Sequence, residues 1–197
     1  MILPVVAYGS PVLRKMGVEI SKDYPNLNEL IDNMWETMYG AFGVGIAAPQ
    51  IGVAIRLFVI DASPFADSED VSEEDAKALE NFKRTFINAK IIKETGEEWA
   101  FNEGCLSIPD VREDVFRKET ITIEYFDENW KKQTETLTGL PARIVQHEYD
   151  HIEGVLFTDL ISPLKKRLIK GKLANISKGK VNADYRMRFP QANKRRK

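Results

Sequence analysis

The sequence predicts an α+β fold in which mostly antiparallel β-sheets pack around a central helix, with a basic helix near the C-terminus. Three observations favour this fold class. β-Rich runs cluster in the middle of the chain, segments with helical spacing of apolar residues lie on either side of them, and strands and helices do not alternate as repeated βαβ units would. With 197 residues, 43% of them hydrophobic, the chain can bury one sizeable core.

The first predicted helix covers about 26–39. Apolar residues recur there at spacings of three and four, at Leu27, Leu30, Ile31, Met34 and Met38. Asn26 is placed to cap its start and Gly40 to stop it. The small residues at 43–50 then predict a tight loop that is not helical throughout.

Strands are predicted where β-branched and aromatic residues concentrate. These runs are 56–61, 86–93 and 120–126. The turn residues at 127–130 and the run at 131–137 predict a hairpin with the preceding strand. The stretch 67–80 holds seven acidic residues against one lysine, which indicates a solvated surface excursion with one or two helical turns.

Two further helices are predicted towards the C-terminus. Pro141 suits the first turn of a helix that runs to about Glu153, and Gly154 supplies its stop. Ser162 and the proline after it begin a basic helix that runs to about Ile169.

Composition excludes several classes of protein. No run approaches the roughly 20 apolar residues of a membrane-spanning helix, and the first residues lack the basic region of a signal peptide. One cysteine excludes an intramolecular disulfide framework. The sequence is therefore expected to be that of a cytoplasmic globular protein without a membrane partner.

Charge is distributed unevenly along the chain. Residues 1–164 carry 15 Lys and Arg against 29 Asp and Glu, whereas residues 165–197 carry 13 basic residues against Asp184. Two interpretations stay open on charge alone: a polyanionic partner that binds the tail, or a solvated terminus without a partner.

His147 and His151 form the pattern that most strongly indicates chemistry. Histidines four residues apart lie on one helix face about one turn apart, so both rings can bind one ion. Leu140 and Ile144 share that face, which turns the histidines inward. Glu148 can then be held near a water molecule without becoming a ligand, as a metal-assisted hydrolase requires.

Cys105 is the candidate for a third ligand, because the sequence has no third histidine. Gly104 beside it lets the backbone come close to an ion. A thiolate with two imidazoles suits Zn²⁺ or Fe²⁺ better than Mg²⁺ or Ca²⁺. A lone cysteine is by itself more often a small buried hydrophobe, but the histidine pair reverses that expectation.

Three motifs in this order resemble the polypeptide deformylase family. They are GVGIAAPQ at 43–50, EGCLS at 103–107 and QHEYDH at 146–151. The resemblance covers most of the chain, and the combination is far more specific than the His-Glu-x-x-His pattern alone.

The resemblance implies a function and roles for particular residues. It implies removal of the formyl group from N-terminal formyl-methionine of new polypeptides, with release of formate. Cys105, His147 and His151 would bind the metal, and Glu148 would act as general base and acid. The side-chain amide of Gln50 and the backbone N–H of Leu106 would stabilise the oxyanion. The metal would be Fe²⁺, with Zn²⁺, Ni²⁺ or Co²⁺ able to replace it.

A substrate pocket is expected beside the motifs. An apolar slot for the methionine side chain is expected from Val44, Phe101, Leu140 and Ile144. The Gly45 backbone and the Arg112 side chain are expected to bind the peptide main chain. Phe101 and Leu140 could equally be ordinary core residues. Arg143, Gln146 and Asp150 could orient the metal ligands or be helix-surface polar residues.

The resemblance also suggests how the chain is organised. Residues 1–164 are expected to form the catalytic domain, and residues 165–197 a basic C-terminal helix and tail resembling the helix that bacterial deformylases use on the ribosome. Two other functions compete with deformylation. A general metallopeptidase is disfavoured by the thiolate and the missing third histidine, and a non-catalytic metal- or RNA-binding module by the absence of an obvious fourth ligand.

Overall fold

The computed structural model describes residues 1–66, 71 and 73–190, apart from the side chains of Glu74 and Asp75. The helices of these residues are α1 (Leu27–Gly40), α2 (Glu73–Leu79), α3 (Gly139–Ile152), α4 (Phe157–Leu160) and α5 (Pro163–Ser177). The strands are β1 (Val5–Val6), β2 (Gly45–Ala47), β3 (Leu57–Asp61), β4 (Lys83–Cys105), β5 (Ile108–Phe126), β6 (Lys132–Thr138) and β7 (Met187–Arg188). Within this part of the chain, no helix combines the length and apolarity needed to cross a bilayer.

The strands form two sheets. Five antiparallel strands lie in the order β2-β3-β4-β5-β6, and β1 pairs with β7 in parallel. In β3, Leu57 and Val59 pack on the α1 side, whereas Phe58 and Ile60 pack on the α3 side. A strand buried on both faces reads as an unbroken apolar run, as this one does. The predicted α+β class is confirmed.

Three apolar clusters hold the layers together. In the first, α3 packs on one face of the large sheet, with Val145 and Ile152 against Phe58 and Phe86. In the second, α1 covers the opposite face. In the third, α4 and α5 pack against the start of β5. The helix predicted to carry the metal ligands therefore lies at the centre of the molecule.

The two longest strands extend well beyond their predictions. The sequence predicted strands at 86–93 and 120–126, but β4 and β5 form one hairpin whose tight loop is Leu106–Ser107. Residues 92–98 are exposed, so their pairing rests on backbone hydrogen bonds and leaves no apolar alternation in the sequence. The predicted pairing of β5 with the strand after the 127–130 turn is confirmed.

Helix ends differ from the predictions in particular ways. Asn26 precedes α1 but has a φ of 55° and makes no side-chain cap; its carbonyl accepts from Leu30 N at 3.0 Å instead. Gly40 is the last residue of α1 rather than its stop. α5 continues past Ile169, because its later apolar residues are buried in the third cluster. α5 also spans residues 164 and 165, between which the domain boundary was predicted. The division into a catalytic domain and a basic tail stays a prediction.

The described residues include part of the acidic stretch. α2 supplies the predicted helical turns, and its Leu79 is buried in the first cluster. Residues 67–70 and 72 of that stretch lie outside the described residues, as do the basic residues at 194–197.

Candidate metal centre and substrate cavity

Three candidate ligands converge from two elements. Cys105 ends β4, and His147 and His151 lie one turn apart on α3. The Cys105 Sγ is 3.3 Å from His151 Nε2, the two imidazole centroids are 5.2 Å apart, and the candidate ligand atoms all lie within 4.8 Å of one another. One sulfur and two ring nitrogens are thus close enough to bind a single ion.

The electrostatics of these donors favour a cation. Burial and the nearby His147 and Arg117 lower the pKa of His151 well below its usual value, so its ring is neutral, as coordination requires. Burial also opposes protonation of His147, but its interactions with Cys105 and Glu103 outweigh burial and raise its pKa. Cys105 and Glu103 therefore favour positive charge at the position of His147.

Glu103 fixes the orientation of His147. Its Oε2 accepts from His147 Nδ1 at 2.9 Å, which leaves Nε2 for the ion. Arg117 binds the same carboxylate through Nε at 2.7 Å and Nη2 at 3.0 Å. Burial raises the pKa of Glu103, but these bonds outweigh it and hold the pKa well below the usual range. The ionised Glu103 carboxylate thus fixes the orientation of the His147 ring.

Glu148 is buried next to the ligands with an unused oxygen. Its side chain is 4% exposed, and Oε2 finds no hydrogen-bond partner within the described part of the chain. Burial raises the pKa of Glu148 to about 7. A Cβ on Gly45 would lie 2.5 Å from Oε1, so the carboxylate occupies space left by the missing side chain.

Gln50 presents its amide N–H groups to the metal centre. Its Oε1 accepts from Ala47 N at 2.8 Å, which fixes the amide so that Nε2 lies 3.5 Å from Cys105 Sγ. Leu106 follows Cys105 in the hairpin loop and lines the same cavity. Both predicted oxyanion donors therefore flank the ligand cluster.

The cavity beside the ligands has a volume of about 410 Å³. The structure places most of the predicted substrate residues on its wall, namely Val44, Gly45, Phe101, Arg112 and Ile144. Leu140, which could equally be an ordinary core residue, packs in the first apolar cluster, and its part in the methionine slot stays a prediction.

The donor set fits a divalent ion. One thiol and two imidazoles leave room for a further oxygen ligand, which is the pattern of catalytic rather than closed structural sites. The unused Oε2 of Glu148 supports this fit, because a buried carboxylate oxygen without a partner is costly. A Cβ on Gly104 would lie 2.9 Å from Arg112 Nη1, and the close approach of the Gly104 backbone to the ion stays a prediction.

Comparison with known proteins identifies the family. The family model for polypeptide deformylase matches residues 2–167. The chain belongs to the polypeptide deformylase family. Two relatives described as peptide deformylases, from Christiangramia forsetii and Flavobacterium johnsoniae, are each 66% identical over 196 residues and cover 100% of both chains.

Solved deformylase structures share the fold. The crystal structure of a peptide deformylase from Legionella pneumophila is 36% identical with a TM-score of 0.75, and covers 89% of this chain and 95% of its own. The peptide deformylase from Thermotoga maritima is also 36% identical, with a TM-score of 0.71 over 83% of this chain and 99% of its own.

Sequence reasoning missed several residues of this deformylase site. It quoted Glu103 within a motif but assigned it no role, and it did not single out Arg117. Of the residues left open, Arg143 donates to Glu103 Oε1 at 3.0 Å, and Asp150 accepts from Arg117 at 2.7 Å. Gln146 instead donates to Glu94 and to the Lys118 carbonyl. For Glu103, the available sequence signal was that a carboxylate stands within the motif that supplies Cys105.

Proposed function

We propose that this chain removes the formyl group from N-terminal formyl-methionine of new polypeptides and releases formate. The observation that carries the proposal is the convergence of Cys105, His147 and His151 beside Glu148, whose buried Oε2 lacks a partner among the described residues. The deformylase names of its relatives support the same activity.

Cys105, His147 and His151 would hold one divalent ion, which we propose is Fe²⁺ in the cell, with Zn²⁺, Ni²⁺ or Co²⁺ able to replace it. Such an ion supplies a Lewis acid that acidifies water and polarises the formyl carbonyl. Elemental analysis of protein purified without oxygen tests the choice of metal. Zinc alone in such a sample would contradict the assignment of iron.

Glu148 is the group that moves the proton. Its carboxylate accepts a proton as water attacks the formyl carbon, and then donates it to the leaving amine. Burial raises its pKa to about 7, which suits a group that must both accept and release a proton near neutral pH. Gly45 leaves the space in which this carboxylate lies.

Gln50 and Leu106 would stabilise the negative charge that forms on the formyl oxygen. The Gln50 amide is already turned towards the centre by its bond from Ala47 N, so little reorganisation is needed when charge develops. The backbone N–H of Leu106 would be the second donor.

The cavity wall matches an unbranched apolar side chain next to a peptide. Val44, Phe101 and Ile144 would contact the methionine side chain, while the Gly45 backbone and Arg112 would bind the peptide main chain. Arg112 is held at the rim by Asn102, through its Nε at 3.0 Å and its Nη2 at 2.6 Å.

Formate release from formyl-Met-Ala-Ser tests the proposal, with acetyl-Met-Ala-Ser as the matched control peptide. We expect turnover of the formyl peptide and none of the acetyl peptide. Glu148→Ala should lower kcat at least about 10²-fold while its metal content stays that of the parent. Cleavage of an internal peptide bond instead would indicate a metallopeptidase.

Residues 165–197 would form a basic module that binds ribosomal RNA, which places the enzyme in the cytoplasm beside its substrate. Arg167, Lys170 and Lys172 are exposed on α5, whereas Lys165 is paired with Glu113 at 2.9 Å. Cosedimentation with ribosomes should weaken steeply as salt rises, because each phosphate contact adds to the salt dependence. Salt-independent binding, or none, would contradict this assignment.

A further inference from the structure

The segment after α5 returns to the active-site side of the molecule. β7 pairs in parallel with β1, through Val5 N to Arg186 O and Ala7 N to Arg188 O, each 2.9 Å. This strand lies beyond residues 2–167, which match the family model. Its contacts are therefore features of this chain that the family match does not cover.

The β1–β7 sheet holds both residues of the loop that follows Cys105. The Tyr185 hydroxyl donates to the Leu106 carbonyl at 2.7 Å. On the other side, Tyr8 N donates to the Ser107 carbonyl at 2.9 Å. The two donors flank the paired strands, one before β7 and one after β1, so the small sheet acts on the loop as a unit.

Packing keeps the returning segment in place. Tyr185 packs against the second apolar cluster, and Met187 packs against the third, as Cys105 does. A Cβ on Gly52 would lie 2.2 Å from Arg188 Nη2, so the Arg188 side chain lies directly on the backbone of Gly52. Because these contacts fix the returning segment, its hydrogen bond from Tyr185 can hold the Leu106–Ser107 loop in one position.

The Tyr185 hydroxyl stays a donor under working conditions. Burial, together with the nearby Cys105, raises its pKa above the usual value for tyrosine. Its partner, the Leu106 carbonyl, belongs to the residue whose N–H is the proposed oxyanion donor. Fixing that carbonyl restricts rotation of Leu106, and a misplacement of about 1 Å at a reacting centre can lower the rate about 10²-fold.

We propose that Tyr185 is a positioning residue for catalysis: by holding the Leu106 carbonyl, it keeps the Leu106 N–H aimed at the reacting carbonyl and the Cys105 thiolate in place among the ligands. This inference rests on the proposed deformylation. Tyr185 itself touches neither the cavity nor the ligand atoms as they are described.

Tyr185→Phe in the full-length protein tests the proposal, because it removes the hydroxyl and keeps the ring. We expect kcat for formyl-Met-Ala-Ser to fall about three- to tenfold, the effect of losing one hydrogen bond, while KM changes less than twofold. In the Co²⁺-loaded protein, followed by its thiolate absorption band, we expect release of Co²⁺ to a chelator to be at least about threefold faster.

Tyr125→Phe is the matched control. It also removes a buried hydroxyl, which donates to Glu135 of β6, and neither residue lines the cavity as described. It should leave kcat and Co²⁺ release unchanged. Parent-like kcat and Co²⁺ release in Tyr185→Phe would overturn the proposal, as would equal losses in both variants. A parent protein that releases no formate would count against the proposed function, while Co²⁺ release would still test Tyr185.

Discussion

At the scale of single residues, the position of the Glu148 side chain depends on the absence of a side chain at Gly45. A Cβ at Gly45 would lie 2.5, 2.7 and 2.8 Å from Oε1, Cγ and Cδ of Glu148. Contacts this short along the whole side chain cannot be relieved by moving its tip alone. Because Glu148 is buried, there is little free volume into which it can move.

Gly45→Ala should therefore reduce activity as well as stability, since an extra methyl in a well-packed site typically costs about 1–3 kcal/mol. We expect kcat to fall at least about tenfold, because the carboxylate that moves the proton is displaced. Gly171→Ala on α5 is the control: among the described residues, no atom outside its own helix backbone lies within 4 Å of the new Cβ, so it should stabilise the fold by about 0.5–1 kcal/mol with unchanged kcat. Equal kcat in both variants would contradict the steric role of Gly45.

Gln50→Ala should lower kcat about 10²- to 10³-fold, roughly 3 kcal/mol, because it removes one oxyanion donor. The loss should lie in kcat more than in KM, since the negative charge exists only in the transition state. Steady-state kinetics on formyl-Met-Ala-Ser measure the split. A rise in KM with normal kcat would instead indicate that Gln50 binds the ground state.

At the scale of elements, the Asp159 carboxylate on α4 binds Arg14, which lies in the N-terminal part of the chain before α1. Asp159 accepts from Arg14 Nη2 at 3.1 Å and from Leu156 N at 2.8 Å. Burial raises the pKa of Asp159, but these bonds outweigh it, so the pKa is lower than usual. A folded-state pKa below the unfolded value adds stability above the unfolded pKa, and that stability is lost as pH falls through the folded pKa.

Asp159→Asn should accordingly be less stable than the parent at neutral pH, by no more than about 1 kcal/mol because the pair is partly exposed. The difference should shrink as pH falls below about 4, where the carboxyl of the unfolded chain becomes protonated before that of the folded parent. Urea unfolding at several pH values measures it. Asp32→Asn, on the exposed side of α1, is the control for removing a surface carboxylate. A difference that is constant with pH would contradict this account.

Elements were predictable from the sequence where burial leaves an unbroken or periodic apolar pattern. β3 and α3 were found nearly to their ends, because one is buried on both faces and the other alternates between core and site. The outer part of the β4–β5 hairpin was missed, because its exposed residues carry no such period. The Glu103–Arg117 pair was missed for another reason: two charged residues 14 positions apart show nothing of their contact in the sequence.

At the scale of the whole molecule, the candidate metal centre links two layers. Cys105 comes from the hairpin of the large sheet, and the histidines come from the helix packed on it. The three candidate ligands were identified from the motifs, and the structure brings their ligand atoms within 4.8 Å of one another. The contact of Tyr185 with Leu106 joins residues 79 positions apart, and no motif announces it.

Removing the ion should therefore lower the melting temperature. An ion that binds only the folded state adds about 2.7 kcal/mol at a free concentration a hundred times its Kd, and each kcal/mol shifts Tm by about 2–4 °C in a chain of this size. Calorimetry after chelation should show a decrease of about 5–10 °C that Zn²⁺ or Co²⁺ reverses. An unchanged Tm after proven removal of metal would contradict a link between the layers.

The single cysteine also offers a direct assay of occupancy. Because Cys105 is the sole sulfhydryl in the sequence and lies among the ligand atoms, one equivalent of a thiol-selective dye can report on each polypeptide. A dye should label stripped protein readily and label loaded protein slowly, since coordination withdraws the nucleophilic sulfur. The labelled fraction would then count vacant molecules in a preparation, without any substrate.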